Sequence, residues 1–220
     1  MKQYANPIDP DSFLYRNGNG TLALFVADTA NHRIRKISGD VKFDPVNGEK
    51  IWSNVKVDCF SGRCDPLMNN PEPGFADGKQ GKARFDSPLG LTVSSDGTIF
   101  VADTNNHRIR KLTQFGTVTT IAGSASRFEL DSAAQPIQSH FNYPSDVALD
   151  SNEGAVMVTD RHHIRRVNLS DSTVTLLAGG DNEGDRDGDG SESTLNNPTS
   201  ITITGDGAIY VSDSALGRIR

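Results

Sequence analysis

The sequence predicts an all-β chain of about four successive four-stranded antiparallel sheets, arranged as the blades of a β-propeller. Three markers predict it. One pattern recurs four times: LFVADTANHRIRKI (24–37), IFVADTNNHRIRKL (99–112), VMVTDRHHIRRV (156–167) and IYVSDSALGRIR (209–220). A second marker (an apolar residue, Asn or Asp, any residue, Pro) precedes the last three at 85–88, 141–144 and 195–198. A third, Val-Thr-x-x-Ala-Gly, follows two of them at 118–123 and 174–179. Pro88, Pro144 and Pro198 recur at a nearly even step, and each precedes its motif Asp (Asp103, Asp160 or Asp213) by a nearly constant distance. Fixed-period repetition of this kind is the signature of a repeat architecture.

Within one unit the strands follow from composition. In the second unit they fall at 89–94, 98–103, 108–112 and 117–122, rich in Val, Ile, Thr and Phe. Turn residues such as Asp96-Gly97 bound them. No stretch carries a useful helical period. Four short antiparallel strands per repeat make a propeller blade, whereas leucine-rich or helical repeats need one strand or a helix pair. The blades are expected at about 11–58, 86–123, 142–179 and 196–220. The last stops at Arg220, within what is strand three elsewhere. The expectation is therefore part of a larger, six-bladed type of propeller. The alternative is a closed four-bladed ring in which residues 11–16 supply the missing outer strand. The step from Asp28 to Asp103 is longer than that from Asp103 to Asp160 or from Asp160 to Asp213. The surplus is expected as an insertion near 55–75, on a functional face.

Blades pack face to face, so apolar residues of strands one to three should be buried on both sides. The expected core is Phe25, Leu91, Val93, Phe100, Ile109, Val147, Leu149, Val158, Ile164, Ile201, Ile203, Tyr210 and Ile219. Phe85, Phe141 and Leu195 should anchor the linkers between blades. The low hydrophobic content, 35% of 220 residues, suits thin layers with many loops.

Charge and composition narrow the function. The net charge of −6 argues against a general nucleic-acid binder, which needs a basic field. No run approaches the roughly 20 apolar residues of a membrane helix. Cys59 and Cys64 stand alone, with the wrong spacing for a zinc knuckle. A local Cys59–Cys64 disulfide is expected, which favours an extracellular or luminal location. Residues 1–10 show no apolar leader core, so these two clues conflict.

At Asn31-His32-Arg33-Ile34 and Asn106-His107-Arg108-Ile109 the chain resembles the NHL-repeat β-propellers, over roughly residues 20–220. The third repeat has a turn shortened by two, and the fourth carries Ala215-Leu216-Gly217 in place of the Asn-His pair. The resemblance implies the propeller fold. It leaves function open, since the family includes ligand-binding, RNA-binding and adhesive members and a few lyases.

The candidate chemistry is sparse. Asp28, Asp103, Asp160 and Asp213 recur once per blade, as do Arg35, Arg110, Arg165 and Arg220. Recurrence in every blade reads as structural: a carboxylate at a strand end accepts turn amides or pairs with the Arg, which should lower its pKa. The functional reading is a ring of acids at a metal site. The turn histidines His32, His107 and His162, with the adjacent His163, read as packing on the next blade before they read as zinc ligands. Asp185, Asp187 and Asp189 imitate the start of a calcium loop, but its twelfth position is Asn196 instead of a bidentate Glu. Gly74 to Gly78 is a weaker echo of that loop. The Arg and Lys of the motif strands form a local basic stripe, surrounded by acidic loops and few aromatics. Two N-glycosylation triplets, Asn19-Gly20-Thr21 and Asn168-Leu169-Ser170, arise often by chance and decide nothing alone. No nucleophile elbow, phosphate loop or catalytic Cys–His pair is present. The reading is a non-catalytic scaffold for a protein, peptide or glycan, with no cofactor unless calcium binds the acidic loop. A metal-dependent propeller lyase or hydrolase is the alternative, and an RNA-binding propeller the next.

Overall fold

The computed structural model describes residues 14–16, 22–43, 50–65, 72–124, 140–180 and 182–220. They form four antiparallel sheets in chain order. The first holds β1 (Leu14–Arg16), β2 (Leu22–Asp28), β3 (Arg33–Phe43) and β4 (Lys50–Gly62). The second holds β5 (Pro88–Val93), β6 (Ile99–Asp103), β7 (Arg108–Leu112) and β8 (Val118–Gly123). The third holds β9 (Pro144–Leu149), β10 (Ala155–Asp160), β11 (His163–Asn168) and β12 (Val174–Ala178). The fourth has three strands, β13 (Pro198–Ile203), β14 (Ile209–Asp213) and β15 (Arg218–Ile219). Helical structure among the described residues is limited to single 3-10 turns. Each strand pairs with its neighbour in sequence, as in a propeller blade. β1 pairs with β2, so residues 14–16 belong to the first blade and not to the outer edge of the fourth.

Packing between blades follows from the pleat. Every side chain of β6 is buried, because alternate residues serve opposite seams. Ile99 and Val101 join Phe25, Ile34, Phe60, Phe85 and Leu91 between the first two blades. Phe100 and Ala102 face the other way and join Phe141, Val147 and Val158 between blades two and three. Ala148, Met157, Ile164, Leu195, Ile201 and Val211 fill the third seam. One apolar residue of the Pro-containing marker thus enters each seam.

Of the expected core, Val93, Leu149 and Ile203 are only partly buried, and two residues depart altogether. Tyr210 is 48% and Ile219 70% exposed. Thr202 pairs with Tyr210 and Ser212 with Ile219, so these residues share the outer face of the last sheet. Among the described residues no blade packs there, while the inner face carries Ile201 and Val211 into the third seam.

The surplus residues of the first unit sit mainly in a long hairpin. Arg33 pairs with Gly62 where Arg108 pairs with Gly123, so the β3–β4 unit spans 33–62 while its counterpart in the second blade spans only 108–123. Strand pairing continues to Phe43 and Lys50, well before the expected 55–75. Ile51, Val55 and Val57 are exposed along β4. A disulfide joins Cys59 on β4 to Cys64, with Cα atoms 5.5 Å apart.

Candidate functional site

The recurrent polar residues converge where strand two of each blade ends. There the motif Asp is followed by a tight turn, and in the first two blades the turn ends on a His in the left-handed region, at φ 50° for His32 and 54° for His107. His tolerates that region better than most side chains. The Asp accepts the amide of the second residue of the Pro-containing marker in its own blade. Asp103 accepts from Asp86 N at 2.8 Å, Asp160 from Asn142 N, and Asp213 from Asn196 N at 2.8 Å. The preceding blade holds the same linker. His32 Nδ1 accepts Ser87 N at 2.9 Å, and His107 Nδ1 accepts Tyr143 N at 3.2 Å. Thr29 Oγ1 donates to Pro88 O and Thr104 Oγ1 to Pro144 O, each at 2.8 Å. Motif and linker markers, apart in sequence, form one corner that ties successive blades together.

Gly123 and Gly179, which end the third marker, close these corners at φ 97° and 98°. A Cβ on Gly123 would stand 2.8 Å from Arg108 Cα and closer still to His107 O. On Gly179 it would stand 3.0 Å from His163 Cα and closer still to His162 O. Only glycine allows this combination of angle and contact.

The motif Arg completes the corner in three blades. Arg110 is fully buried. Its Nη1 donates to Asp103 and to Arg84 O, and its Nη2 to Ala76 O and to Asp77, the last two at 2.8 Å. Phe75 and Phe85 lie over its guanidinium. Arg165 Nε lies 2.9 Å from Asp160. Asp28 accepts from Asn31 Nδ2 at 2.7 Å, with Arg33 and Arg35 at 3.4 and 3.5 Å. The fourth blade differs. Arg220 pairs with Asp185 at 3.1 Å and with Asp187, while Asp213 Oδ1 has no hydrogen-bond partner among the described residues. The acidic loop proposed for calcium therefore uses two carboxylates on guanidinium groups, with Arg218 also on Asp185 at 2.6 Å. Asp189 stands apart, before the 3-10 turn Gly190–Glu192. Among the described residues no group of three or more His, Cys, Asp or Glu is placed to hold a metal.

The electrostatics correct one expectation. Burial pushes the Asp103 carboxyl up to about 6, although Arg110, the Asp86 amide and Asn106 all pull it down. Desolvation outweighs the attractive partners because both carboxylate and guanidinium are withdrawn from water.

Three links escaped the sequence reading. Asp77 binds Arg110 and also accepts Thr120 N and Oγ1 at 3.1 and 3.0 Å. Glu153 accepts Ser95 N and Oγ across blades, at 2.7 and 2.9 Å. Asp146, on the first strand of blade three, accepts Ser200 Oγ at 2.8 Å and Ile201 N at 3.0 Å from blade four. Burial raises its pKa against those bonds. On its other side lies Gly90, where a Cβ would stand 2.5 Å from Asp146 Cα and closer still to its Oδ1. Gly90, Asp146 and Ser200 each lie two places after a marker Pro, a shared spacing that could have revealed the link.

Comparison with known proteins places this architecture. The sequence pattern of the teneurin NHL domain matches residues 11–183, most of the chain. The chain belongs to that family. The NHL domain is 26% identical to chicken NHL repeat-containing protein 2 over 82% of its length, covering 23% of that protein. It is 24% identical to human teneurin-4 over 90% of its length, covering 7% of that protein. Among solved structures it superimposes on a Bacteroides thetaiotaomicron protein of unknown function with a TM-score of 0.62. That match has 18% identity and spans 93% of this chain and 44% of the other. At that identity the likeness shows the fold alone. The NHL domain spans less than a quarter of the length of the curated relatives it matches.

Proposed function

We propose that this NHL domain is a non-catalytic scaffold that uses its exposed loops and edges to bind a protein, peptide or glycan, with a protein as the first candidate. The observation that carries the reading is the use of the recurrent polar residues. Asp103, Asp160, Arg110, His32 and His107 are bonded within or between blades, where they hold linkers instead of facing a substrate. A carboxylate engaged in this way has few lone pairs for a metal. The extended β3–β4 hairpin exposes Ile51, Val55 and Val57 among polar neighbours such as Lys56, with Ile51 opposite Lys42 on one face and Val57 opposite Ile37 on the other. Relatives named as teneurins and NHL repeat-containing proteins fit a binding role.

The test exposes the purified domain to arrayed peptides, glycans and ectodomains. The substitutions Ile51→Ser, Val55→Ser and Val57→Ser together should abolish the specific signal and leave the thermal midpoint within a few degrees. Binding unaffected by them moves the contact off the hairpin. A stoichiometric divalent metal, lost in Asp103→Asn without loss of stability, would replace the scaffold with a metal-dependent lyase or hydrolase.

A further inference from the structure

We propose that Asn168 is an N-glycosylation acceptor. It ends β11, and Leu169 and Ser170 complete the Asn-x-Ser triplet at the start of the turn into β12. The triplet by itself says little. Its geometry says more. Asn168 Oδ1 accepts both Ser170 N and Ser170 Oγ at 2.9 Å, so the two recognised ends of the triplet are drawn together in a local Asx turn. Because Oδ1 is occupied by Ser170, the side-chain amide is oriented, and among the described residues Nδ2 donates no hydrogen bond. The nucleophilic atom needs no bond broken before it reacts.

The turn is held firmly enough to keep that presentation. Asn168 N donates to Thr173 O at 2.9 Å, and Ser172 N returns to Asn168 O at 2.8 Å. Leu169 N donates to Gly154 O at 3.0 Å, and its side chain packs against the seam between blades two and three. Leu169 therefore anchors the triplet while Ser170 and Asp171 stand exposed. A large attached sugar projects into solvent there without entering a seam.

A second, independent observation concerns the compartment. The Cys59–Cys64 disulfide requires an oxidising environment, such as the secretory route in which glycan transfer occurs. The transfer joins Asn168 Nδ2 to the anomeric carbon of an oligosaccharide carried on a polyprenyl diphosphate. The anomeric C–O bond to the diphosphate breaks, and the polyprenyl diphosphate leaves with the bonding pair. The proton lost from Nδ2 passes to a base of the transferase.

The full chain is routed through the secretory pathway of a eukaryotic host, and the secreted protein is digested for mass spectrometry. Release of the glycan by peptide N-glycosidase in heavy-oxygen water should leave labelled Asp at position 168. Ser170→Thr should retain the label, while Ser170→Ala and Asn168→Gln should abolish it. The triplet at Asn19 lies outside the described residues and maps to a separate peptide. An unmodified Asn168 peptide in secreted protein whose Cys59–Cys64 bond has formed overturns the proposal. Undiminished labelling in Ser170→Ala overturns it as well. Since the unaltered chain decides the matter, poor folding of a variant leaves no outcome open.

Discussion

Arg110 and Arg220 occupy the same place in the repeat and have opposite surroundings. Arg110 is fully buried and bonded to Asp103, to Asp77 and to two backbone carbonyls. Arg220 pairs with loop carboxylates near the surface, Asp187 being 94% exposed. Removing Arg110 leaves the Asp103 carboxylate in a dry site without its counter-ion. Arg110→Met should cost about 3–5 kcal/mol at neutral pH, whereas Arg220→Met should cost under about 1 kcal/mol. Urea midpoints compare the two. The pH dependence carries a sign. The Asp103 carboxyl is raised from 3.8 to about 6 in the folded state, so the fold binds its proton more tightly than the unfolded chain does. Its contribution to stability is complete below about 3.8 and is lost as pH rises through 6. Arg110→Met removes the charge that holds this pKa down, so its destabilisation should shrink as pH falls from 7 towards 4. A cost independent of pH would show that Asp103 is not the group left exposed to desolvation.

Single blades are thin, and their strands are set by contacts from the next blade. Asp146 belongs to strand one of blade three, yet it bonds to Ser200 and Ile201 of blade four and presses on Gly90 of blade two. Gly90→Ala would place a methyl 2.5 Å from Asp146 Cα and closer still to its Oδ1, so β5 or β9 must move. The expected cost is about 3 kcal/mol or more, read as a drop in the urea midpoint. A neutral Gly90→Ala would mean that the two inner strands do not approach as closely as described. The disulfide works on a shorter span. Its ring encloses Phe60, which packs edge-on against Phe25 at 4.8 Å, and Ser61, which donates to Gly116 O of the second blade at 3.0 Å. The bond therefore shapes the base of the long hairpin where it meets blade two.

The chain as a whole is a row of sheets whose stability lies in the seams. Each seam receives residues of two blades and one linker anchor. Phe141 is fully buried in the second seam, with Arg165 over its ring. Phe141→Ala should cost about 3–5 kcal/mol, while Tyr210→Ser on the uncovered face of the last sheet should change stability by under about 1 kcal/mol. Denaturant titration of the isolated chain checks both. A large loss from Tyr210→Ser would show that the outer face is covered in solution.

Much of this was readable in the linear chain because a repeat states its register several times. The motif Asp, the marker Pro and the Ala-Gly pair recur at nearly constant distances, and each distance corresponds to a strand, a turn or a corner hydrogen bond. The unbroken apolar run from Ile99 to Ala102 in β6 likewise announces two buried faces. The remainder depends on what lies across a seam, often a whole repeat away in sequence. Tyr210 sits in the repeat where Phe100 does, but Phe100 meets blade three, while among the described residues no blade covers Tyr210. Asp103 has the partners that would lower a carboxyl's pKa, yet the dry packing around it raises that pKa. Arg220 carries the motif position of Arg110 but turns to Asp185 and Asp187. Local pattern settles which backbone groups can pair, since those bonds join residues close in sequence or in repeat phase. Burial, and with it the balance between desolvation and charge pairing, is set only when the neighbouring blade arrives.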